Sequence, residues 1–176
     1  MLGYLLLILA VGLERLAELV VSQRNLAWSR AHGGVESGAG HYPAMVLLHT
    51  GLLAGCLAEV WWGHRPFVPA LGWPMLAVVV LAQGLRWWCI ATLGHQWNTR
   101  VVIVPGLGRV RGGPYRWLPH PNYLAVIAEG VALPLVHTAW LTALAFTALN
   151  GWLLSIRIRV ENRALAALES PAAAVP

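Results

Sequence analysis

Long apolar runs, separated by short polar segments, constrain the fold of this chain more than any other feature. The first run, Leu2 to Val21, is long enough as a helix to cross the roughly 30 Å of hydrocarbon in a membrane. Over all 176 residues, 58% are hydrophobic and 11% are charged, and the mean hydropathy is +0.62. A soluble domain of this size is not so apolar. The sequence therefore predicts one integral-membrane domain, residues 1–176.

The apolar runs predict an all-α integral membrane fold with five transmembrane helices, the last two forming a C-terminal helical hairpin. Ser22 to His41 is polar and Gly-rich and is expected to be an exposed loop or surface helix. Pro74 is expected to start the third helix, and a short β-like run, Val101 to Val104, interrupts a polar loop, residues 94–121. The predicted helices are 2–21, 44–62, 74–93, 122–136 and 139–160, and residues 170–176 are expected to be a disordered tail.

The arginines give the chain an orientation. All twelve basic residues are Arg, and those of residues 24–30, 100–116 and 157–163 fall on one side of the predicted helices, whereas Arg65 falls on the other. Since Lys and Arg are enriched in cytoplasmic loops, the N-terminus is expected outside and the C-terminus in the cytoplasm. The composition is typical of a GC-rich bacterial genome, so the expected location is a bacterial plasma membrane. The net charge of +5 is explained by this asymmetry, and no nucleic-acid partner is expected. No signal peptide is expected either.

Ionisable residues inside the first apolar run carry two alternative interpretations. Glu14 and Glu18 share a helix face at i,i+4, and Arg15 can pair with Glu18 at i,i+3. Charges at that depth in a membrane are unfavourable and usually face a bundle interior or a site. The group is either a salt-bridged cluster that locks this helix to its neighbours or a part of a substrate or cofactor pocket.

Other buried-looking residues favour plain structural roles. His49 is interpreted as a core histidine, and Cys56 and Cys89 as small buried hydrophobic residues. Arg86 is interpreted as a side chain that reaches the membrane interface, with a pocket role as the alternative. No two histidines lie at metal-ligand spacing on one helix, so no metal site is expected.

The stretch from Gly112 to Gly130, GGPYRWLPHPNYLAVIAEG, concentrates polar groups at the start of a helix. Gly113-Pro114 predicts a turn, and Pro121 suits the first helical position because its missing N–H needs no partner there. A helix N-terminus with arginines nearby is a natural site for an anion. One acid, Glu129, lies inside the apolar part of the helix and is expected to be buried.

These residues resemble the isoprenylcysteine carboxyl methyltransferase family, which comprises small integral-membrane enzymes that use S-adenosylmethionine (SAM). The resemblance rests on four groups of residues and extends over nearly the whole chain. The wider pattern is most similar to a bacterial subgroup found beside type III polyketide synthases. The sequence departs from the family at Pro119, where Arg is common, and at Asn162, where a second acid is common. The groups are Gly113-Pro114-Tyr115-Arg116, His120-Pro121-Asn122-Tyr123 with Glu129, the C-terminal Arg157, Arg159, Glu161 and Arg163, and the more distant Glu14-Arg15, Ser22-Gln23-Arg24-Asn25 and Asn98-Thr99-Arg100.

The resemblance implies a cofactor and a set of site residues. SAM would bind at a cytoplasmic mouth, with Tyr115, His120, Pro121, Tyr123 and Glu161 as its ligands. The substrate-binding candidates are Arg15, Asn98, Arg100 and Arg157. The catalytic candidates are Glu14, Glu129 and Arg163. A carboxylate acceptor needs no base, whereas a phenol near pKa 10 does, and Glu14, Glu129 and His120 are the candidates for it.

The predicted function is SAM-dependent methyl transfer to an oxygen of a lipophilic small-molecule acceptor, in contact with membrane lipid. The subgroup resemblance favours a long-chain alkylresorcinol or alkylpyrone hydroxyl over a prenylcysteine carboxylate. Two other classes are kept as alternatives, a phospholipid N-methyltransferase and a non-catalytic membrane scaffold or transporter. The sequence leaves the oligomeric state open.

Overall fold

A computed structural model describes residues 1–169, and the tail predicted for residues 170–176 lies outside the described residues. Five α-helices make up most of the described chain, as predicted. Short 3₁₀ turns precede α2 and α4 and follow α3. The helices are α1 (Leu2–Ala31), α2 (Tyr42–Trp62), α3 (Pro69–Leu93), α4 (Pro121–Leu135) and α5 (Trp140–Glu169).

Three helical segments are long and apolar enough to cross a membrane: Tyr42–Trp62, Pro69–Gln96 and Trp140–Ala166. α1 has the length but carries the charged residues noted above, and α4, with its 15 residues, is about 22 Å long. Many large apolar side chains of the helices remain exposed, for example Leu47 at 75% and Leu144 at 68%. Exposed apolar surface on this scale is what lipid covers, so the fold is that of an integral membrane protein.

α1 continues far beyond the predicted end, and the expectation of an exposed segment after residue 21 is wrong for its first part. Ser22, Asn25 and Ser29 are buried on α1. They continue the stripe of Tyr4, Ile8, Val11 and Glu18 at alternating steps of three and four residues, so one face of a single helix packs along its whole length. The face changes from apolar to polar because its partner changes from helices to a loop.

A small antiparallel sheet departs from the all-α prediction. The β-like run becomes β2 (Val101–Ile103), as expected, and it pairs with β1 (Val35–Ser37) in the register Val35↔Ile103, Glu36↔Val102 and Ser37↔Val101. β1 lies in the segment predicted to be an exposed loop or surface helix. The sheet ties the connection between α1 and α2 to the long loop between α3 and α4.

The third helix begins earlier than predicted. Pro69 takes the first position of α3, after the extended residue Val68, and Pro74 lies inside the helix rather than at its start. A proline so near the N-terminus removes only one early backbone hydrogen bond, and the helix tolerates it. The loop before α3 is correspondingly shorter than predicted.

α4 and α5 form the expected helical hairpin. Thr138, at φ 53°, makes the turn with His137, and Pro121 starts α4 as predicted. Gly130 lets the two helices approach closely, since a Cβ there would clash with the ring of Phe146. Glu59, at the end of α2, accepts hydrogen bonds from the backbone N–H groups of Leu141 and Thr142, at 3.1 and 2.7 Å. This carboxylate caps α5 and fixes the hairpin to α2.

The apolar core lies at the end of the bundle where α4 ends. α4 is the central helix, buried on most of its surface, and the phenol of Tyr4 donates to the Leu133 carbonyl at 3.1 Å. Cys56 and Cys89 are fully buried free thiols, as predicted. The polar loops and the start of α4 lie at the opposite end. The core consists of Tyr4, Ile8, Val11, Leu52, Cys56, Val60, Val79, Ala132, Leu133, Val136, Ala139 and Phe146.

Candidate active site

A polar cleft opens at the end of the bundle where α1, α3 and α5 end and α2 and α4 begin. It encloses about 1020 Å³ of empty space, part of it open to solvent. Its walls are the long loop after α3, the first turn of α4 and the C-terminal part of α5. The polar residues that line the cleft are Gln96, Asn98, Arg100, Arg109, Tyr115, His120, Asn122, Tyr123, Arg157 and Glu161.

Four side chains in this cleft form a continuous hydrogen-bonded chain, the cleft cluster, made of His120, Tyr123, Arg157 and Glu161. The Tyr123 hydroxyl accepts from Arg157 Nε at 3.1 Å and donates to a carboxylate oxygen of Glu161. The other carboxylate oxygen lies 3.4 Å from Nδ1 of His120. The imidazole also stacks on the Tyr123 ring, with centroids 5.2 Å apart. The cluster joins the first turn of α4 to α5.

Both ring nitrogens of His120 face a polar partner on α5. Nε2 of His120 lies 3.1 Å from Oδ1 of Asn162, so this nitrogen donates to the amide oxygen, while Nδ1 faces Glu161. The hydrogen bond to Glu161 raises the pKa of His120 above its ordinary value, against burial, which lowers it. Asn162, one of the two departures from the family pattern, therefore contacts a predicted cofactor ligand directly.

Tyr115 closes one side of the cleft. It belongs to the 3₁₀ turn Gly113–Arg116, which depends on Gly113 at φ +51°, a conformation that other residues rarely adopt. Burial raises the pKa of the Tyr115 hydroxyl, with Cys89 as its hydrogen-bond partner. Its phenol therefore stays protonated at neutral pH.

A second, apolar cavity lies deeper, between α1, α2, α4 and α5. It holds about 1120 Å³ of empty space. Met45, His49 and Thr50 of α2 line it, together with apolar residues of α1 and α5. Five residues line both the cleft and this cavity, and we call them the shared wall: Trp97, Asn98, Asn122, Tyr123 and Arg157.

Four buried charges meet beside the apolar cavity and form the inner cluster, made of Arg15, Glu18, Arg86 and Glu129. Arg15 lies 3.1 Å from Glu18, the predicted pair, and 3.4 Å from Glu129. Arg86 pairs with Glu129 and lies 3.4 Å from Glu18. The interpretation of Arg86 as an interface residue is wrong, because only 3% of it is exposed and both of its partners are buried acids. The inner cluster joins α1, α3 and α4, as the structural alternative predicted for Arg15 and Glu18, and both residues also line the cavity, as the pocket alternative predicted.

The buried polar stripe of α1 holds the loop that forms the shared wall. Ser22 Oγ donates to Oδ1 of Asn98 at 2.8 Å and accepts from the backbone N–H of Thr99 at 3.0 Å. Asn25 donates to the carbonyls of Gly94 and Trp97, at 3.0 and 2.7 Å. The extension of α1 thus positions the loop between α3 and β2.

The structure brings most of the predicted site residues together. Arg15 faces the apolar cavity, and Pro121 is buried at the start of α4 beneath the cleft. The guanidinium of Arg100 lies in the cleft wall but is bound at 2.7 Å to Glu36 of β1, which makes it a tie between the two strands. The predicted residues that line the cleft are Asn98, Arg100, Tyr115, His120, Tyr123, Arg157 and Glu161.

The three predicted catalytic residues lie elsewhere in the described chain. Glu14 accepts a 2.5 Å hydrogen bond from the indole of Trp87 on α3. Glu129 is buried as predicted, but within the inner cluster. Arg163 is exposed on α5. Within residues 1–169, none of the three lines the cleft or the apolar cavity.

The structure also adds residues that the site predictions omitted. Trp97 is 4% exposed and belongs to the shared wall, and so does Asn122, whose Oδ1 is buried without a hydrogen-bond partner in residues 1–169. Asn122 follows directly on His120-Pro121, so its position in the motif was a usable signal. Trp97 follows a helix end, and nothing in the sequence separates it from an interfacial tryptophan.

Comparisons with known proteins place the chain in a family. The family model of the isoprenylcysteine carboxyl methyltransferase (ICMT) family matches residues 75–167, which contain α4, the cleft cluster and most of α5. The chain belongs to this family. Its uncharacterized relative YpbQ of Bacillus subtilis is 38% identical over 161 residues, 91% of this chain and 95% of that protein. An uncharacterized protein of Haemophilus influenzae is 30% identical over 94 residues, 53% of this chain and 55% of the relative. No solved structure matches the chain.

Membership of the ICMT family implies a membrane methyltransferase, and the cleft fits the methyl donor that such enzymes generally use. SAM carries a carboxylate, an ammonium, a sulfonium and an adenine. The N-terminus of α4 has no side-chain cap and suits a carboxylate. Glu161 and the unpartnered Oδ1 of Asn122 suit cationic groups, and the apolar residues 101–104 suit the adenine. When bound, SAM would supply an electrophilic methyl group.

Proposed function

We propose that this ICMT family member is a SAM-dependent methyltransferase that acts on an oxygen of a lipophilic acceptor. The favoured acceptors are the hydroxyls of long-chain alkylresorcinols and alkylpyrones, ahead of a prenylcysteine carboxylate. The proposal includes kinship with the bacterial subgroup associated with type III polyketide synthases. One observation carries it: a polar cleft and an apolar cavity meet at one shared wall.

The shared wall meets the geometric requirement of methyl transfer. In an in-line displacement the donor and acceptor atoms must approach to about 3 Å in a fixed orientation, and most of the rate comes from this positioning. A donor in the cleft and an acceptor in the cavity would meet at Asn122, Tyr123 and Arg157. Arg157 is fixed there by Tyr123 and by the Thr99 carbonyl at 2.6 Å. A rigid wall of this kind suits a reaction that needs alignment more than acid–base chemistry.

On the donor side, we assign Tyr115, His120, Tyr123 and Glu161 to SAM, with Asn122 added. His120 and Glu161 hold each other in position, and Tyr123 connects them to α5. Pro121 contributes by starting α4 at the edge of the cleft. Asn98 and Arg157 belong to the boundary with the acceptor.

On the acceptor side, the charge balance of the apolar cavity favours an uncharged head group. The two arginines and two glutamates of the inner cluster lie in mutual ion pairs, so neither an uncompensated cation nor an uncompensated acid of this cluster attracts a charged head group. Arg157, a further cation that lines the cavity, is held by the Tyr123 hydroxyl and the Thr99 carbonyl. A neutral hydroxyl needs no opposite charge. This charge balance therefore favours the neutral alkylresorcinol over prenylcysteine and over a phospholipid amine.

The acceptor tail would enter from the lipid between α1 and α2. Leu16 of α1 and Val46 of α2 both line the cavity, and they are 59% and 41% exposed on the outer surface of the protein. A long alkyl chain could therefore remain partly in lipid while its head reaches the shared wall. Membrane lipid is the second partner that this arrangement implies.

The proposed orientation has five transmembrane helices, the N-terminus outside and the cleft open to the cytoplasm of a bacterial plasma membrane. The arginines of the α1 end, the long loop and the α5 end all lie at the cleft end of the bundle, which supports it. Green fluorescent protein fused to the C-terminus should fluoresce, since it folds only on the cytoplasmic side. Loss of fluorescence with gain of activity of a C-terminal alkaline phosphatase would reverse the orientation.

The decisive experiment measures SAM binding to the detergent-purified protein by calorimetry, followed by methyl transfer from labelled SAM. Alkylresorcinol, alkylpyrone, prenylcysteine and phosphatidylethanolamine are offered as acceptors. We expect SAM to bind to the wild type, His120→Ala and Glu161→Ala to lose binding, and only the hydroxyl acceptors to be methylated. His64→Ala is the matched control, because His64 is exposed in the loop at the opposite end.

Absence of SAM binding in a folded wild type would overturn the proposal and favour a scaffold or transporter. Binding of SAM with methylation of phosphatidylethanolamine alone would replace it by the phospholipid N-methyltransferase. Methylation of prenylcysteine alone would keep the enzyme class and change the acceptor.

A further inference from the structure

His49 is the residue of the apolar cavity whose chemistry the proposed function has not used. It lies in the middle of α2, lines the cavity and packs edge-on against Phe146, with ring centroids 5.5 Å apart. It was interpreted from the sequence as a core histidine. Its ring is half-buried, and one of its two nitrogens is held by the helix itself.

The hydrogen bond of the ring fixes its tautomer. Nδ1 of His49 lies 2.9 Å from the carbonyl oxygen of Met45, one helical turn earlier. A carbonyl oxygen only accepts, so Nδ1 carries the proton, and the neutral ring then presents the lone pair of Nε2. Nε2 of His49 has no hydrogen-bond partner within residues 1–169. It is also not one of the fully buried unpaired polar atoms of the described residues, so a ligand in the cavity can reach it.

His49 lies at the right depth to contact the head of an acceptor. Met45 contacts the guanidinium of Arg157, which belongs to the shared wall, and His49 is one turn deeper on the same helix. On the other side of the cavity, Glu18 is likewise one turn deeper than Ser22, which holds Asn98 of the wall. An aromatic head with one hydroxyl at the wall would therefore lie between α1 and α2 at the level of His49.

The acids near the cavity are poor candidates for a base. Glu18 and Glu129 each lie within ion-pair distance of both Arg15 and Arg86. Glu14 is held by Trp87 and Arg15, away from the cavity, and Glu161 by His120 and Tyr123 in the cleft. Glu18 lines the cavity, but a proton on its carboxylate would remove the charge that both arginines face. Among the described cavity residues, His49 is left as the neutral base with an unused lone pair.

We propose that His49 is the general base that takes the hydroxyl proton of a phenolic acceptor, an inference that rests on the proposed function. As the acceptor oxygen bonds to the methyl carbon, the carbon–sulfur bond of the donor breaks and its electron pair stays on sulfur. The hydroxyl proton passes to Nε2 of His49. The products are the methyl ether, S-adenosylhomocysteine and an imidazolium, so the positive charge of the sulfonium reappears on the ring. His49 is then regenerated by losing the proton to solvent.

Both acidic and basic side chains surround His49, so its ring can gain and lose a proton during the reaction. Arg15 and Glu18 face it from α1, Arg86 from α3, Glu129 from α4 and Arg157 from α5. Four of these five belong to the inner cluster and compensate one another. The imidazolium formed in the reaction would therefore arise beside two carboxylates as well as beside the arginines.

Two acceptors with the same alkyl tail test the proposal. A resorcinol hydroxyl is a phenol, protonated at neutral pH, whereas the enolic hydroxyl of a 4-hydroxy-2-pyrone is a vinylogous acid and is already ionised there. The test variant is His49→Gln, which keeps a hydrogen-bond acceptor near the Nε2 position but cannot take up a proton. It should lower kcat roughly 100-fold to 10,000-fold on the alkylresorcinol and by a far smaller factor on the alkylpyrone. His64→Gln is the control for both acceptors.

Two further measurements make the result independent of how well the variant folds. In the wild type, the rate of alkylresorcinol methylation should fall at acid pH as His49 becomes protonated, and it should be constant at higher pH. The rate of alkylpyrone methylation should not show this fall. Nitrogen-15 spectra of histidine-labelled protein without SAM should show one neutral ring protonated on Nδ1, and its Nε2 signal should shift when alkylresorcinol is added. Calorimetric SAM affinity should be the same in His49→Gln as in the wild type.

Equal loss on both acceptors in a variant that still binds SAM would overturn the proposal, since a structural role does not distinguish ionised from neutral hydroxyls. So would a wild type that methylates the alkylpyrone but not the alkylresorcinol, or an alkylresorcinol rate that rises with hydroxide without levelling off. Failure of the wild type to bind SAM or to methylate any acceptor is a different result and counts against the proposed function itself.

Discussion

The inner cluster and the cleft cluster contain similar side chains but balance their charges differently. In the inner cluster two arginines meet two glutamates, and each charge has an opposite charge within 3.4 Å. In the cleft cluster one acid, Glu161, faces both His120 and, through the Tyr123 hydroxyl, Arg157. The inner cluster lies between helices beside the apolar cavity, whereas the cleft cluster lines the polar cleft. Charged side chains that neutralise one another between helices join those helices. Charged side chains that line an open cleft are available to bind a ligand.

The comparison also separates what the two clusters do for the fold. The inner cluster connects three helices that are far apart in sequence, and in a membrane an unpaired charge there would be strongly unfavourable. The cleft cluster connects only α4 and α5, which the hairpin turn already brings together. Damage to the first should therefore appear in stability, and damage to the second in binding.

The largest expected effect is on the inner cluster. Glu129→Leu leaves Arg86 without its closest carboxylate and should destabilise the protein by about 3 to 5 kcal/mol. The measurement is thermal unfolding in detergent. The double variant Arg86→Met with Glu129→Leu should recover much of the loss, because a buried ion pair and a packed apolar pair are of similar stability. Full stability of Glu129→Leu with loss of methyl transfer would instead support the catalytic role predicted for Glu129.

The next effect concerns the cleft cluster. Glu161→Gln removes the negative charge but keeps the shape, and SAM affinity should fall roughly 10-fold to 100-fold, the effect of one hydrogen bond to a charged group. Stability should change little, since the Glu161 side chain is 29% exposed. Calorimetry gives the first quantity and thermal unfolding the second.

Glu59→Gln is the matched control at the opposite end of the bundle. Glu59 caps α5, so this change should lower stability by about 1 kcal/mol and leave SAM affinity unchanged. An equal loss of SAM affinity in both variants would mean that the cleft responds to general destabilisation, and the division between the clusters would fail.

A smaller effect should follow pH through His120. The folded protein holds the pKa of His120 above its ordinary value through Glu161, so protonation favours the folded state. This contribution is complete below the unfolded pKa of about 6.5 and disappears as pH rises through the higher folded pKa. Between pH 6 and pH 9 the melting temperature of the wild type should fall by about 1 to 3 °C more than that of His120→Gln. Parallel pH curves for the two proteins would contradict the assignment.

The smallest effect is expected for Arg163, one of the three predicted catalytic residues. Its side chain is exposed on α5, outside both clusters. Arg163→Ala should leave SAM affinity and unfolding temperature unchanged within measurement, because exposed surface charges contribute little. A large loss of methyl transfer would show that the last turns of α5 take part in the site in a way that this arrangement does not explain.

Much of the fold could be predicted because the membrane restricts the choices. The number of helices, the hairpin, the start of α4 at Pro121 and the burial of Glu129 all follow from apolar length and from proline and charge positions. The boundary that failed by the most residues is the end of α1. α1 continues past residue 21 because its face stays buried while changing from apolar to polar, and hydropathy does not register a buried serine or asparagine.

The family motif predicted which residues belong to the site, and the structure shows which of them lie together in the cleft. His120, Tyr123 and Glu161 could be predicted from their motif, and the cleft unites them. Arg86, Glu18 and His49 could not be assigned in this way, since each is a single polar residue in an apolar run. Whether such a residue meets lipid, an opposite charge or a cavity depends on the rotation of its helix against the others.

The sequence by itself determined that this chain is a membrane protein of five helices with its polar chemistry at one end, because burial of backbone and apolar surface in lipid allows little else. Only the tertiary structure decided which charges neutralise one another and which face open space. Pairing across α1, α3 and α4 depends on side-chain positions within a few ångströms, and interactions between charges in a low-dielectric interior change strongly over that distance. For this reason the inner cluster became a structural joint, whereas Nε2 of His49 has no hydrogen-bond partner within residues 1–169 and is the atom that we propose as the base.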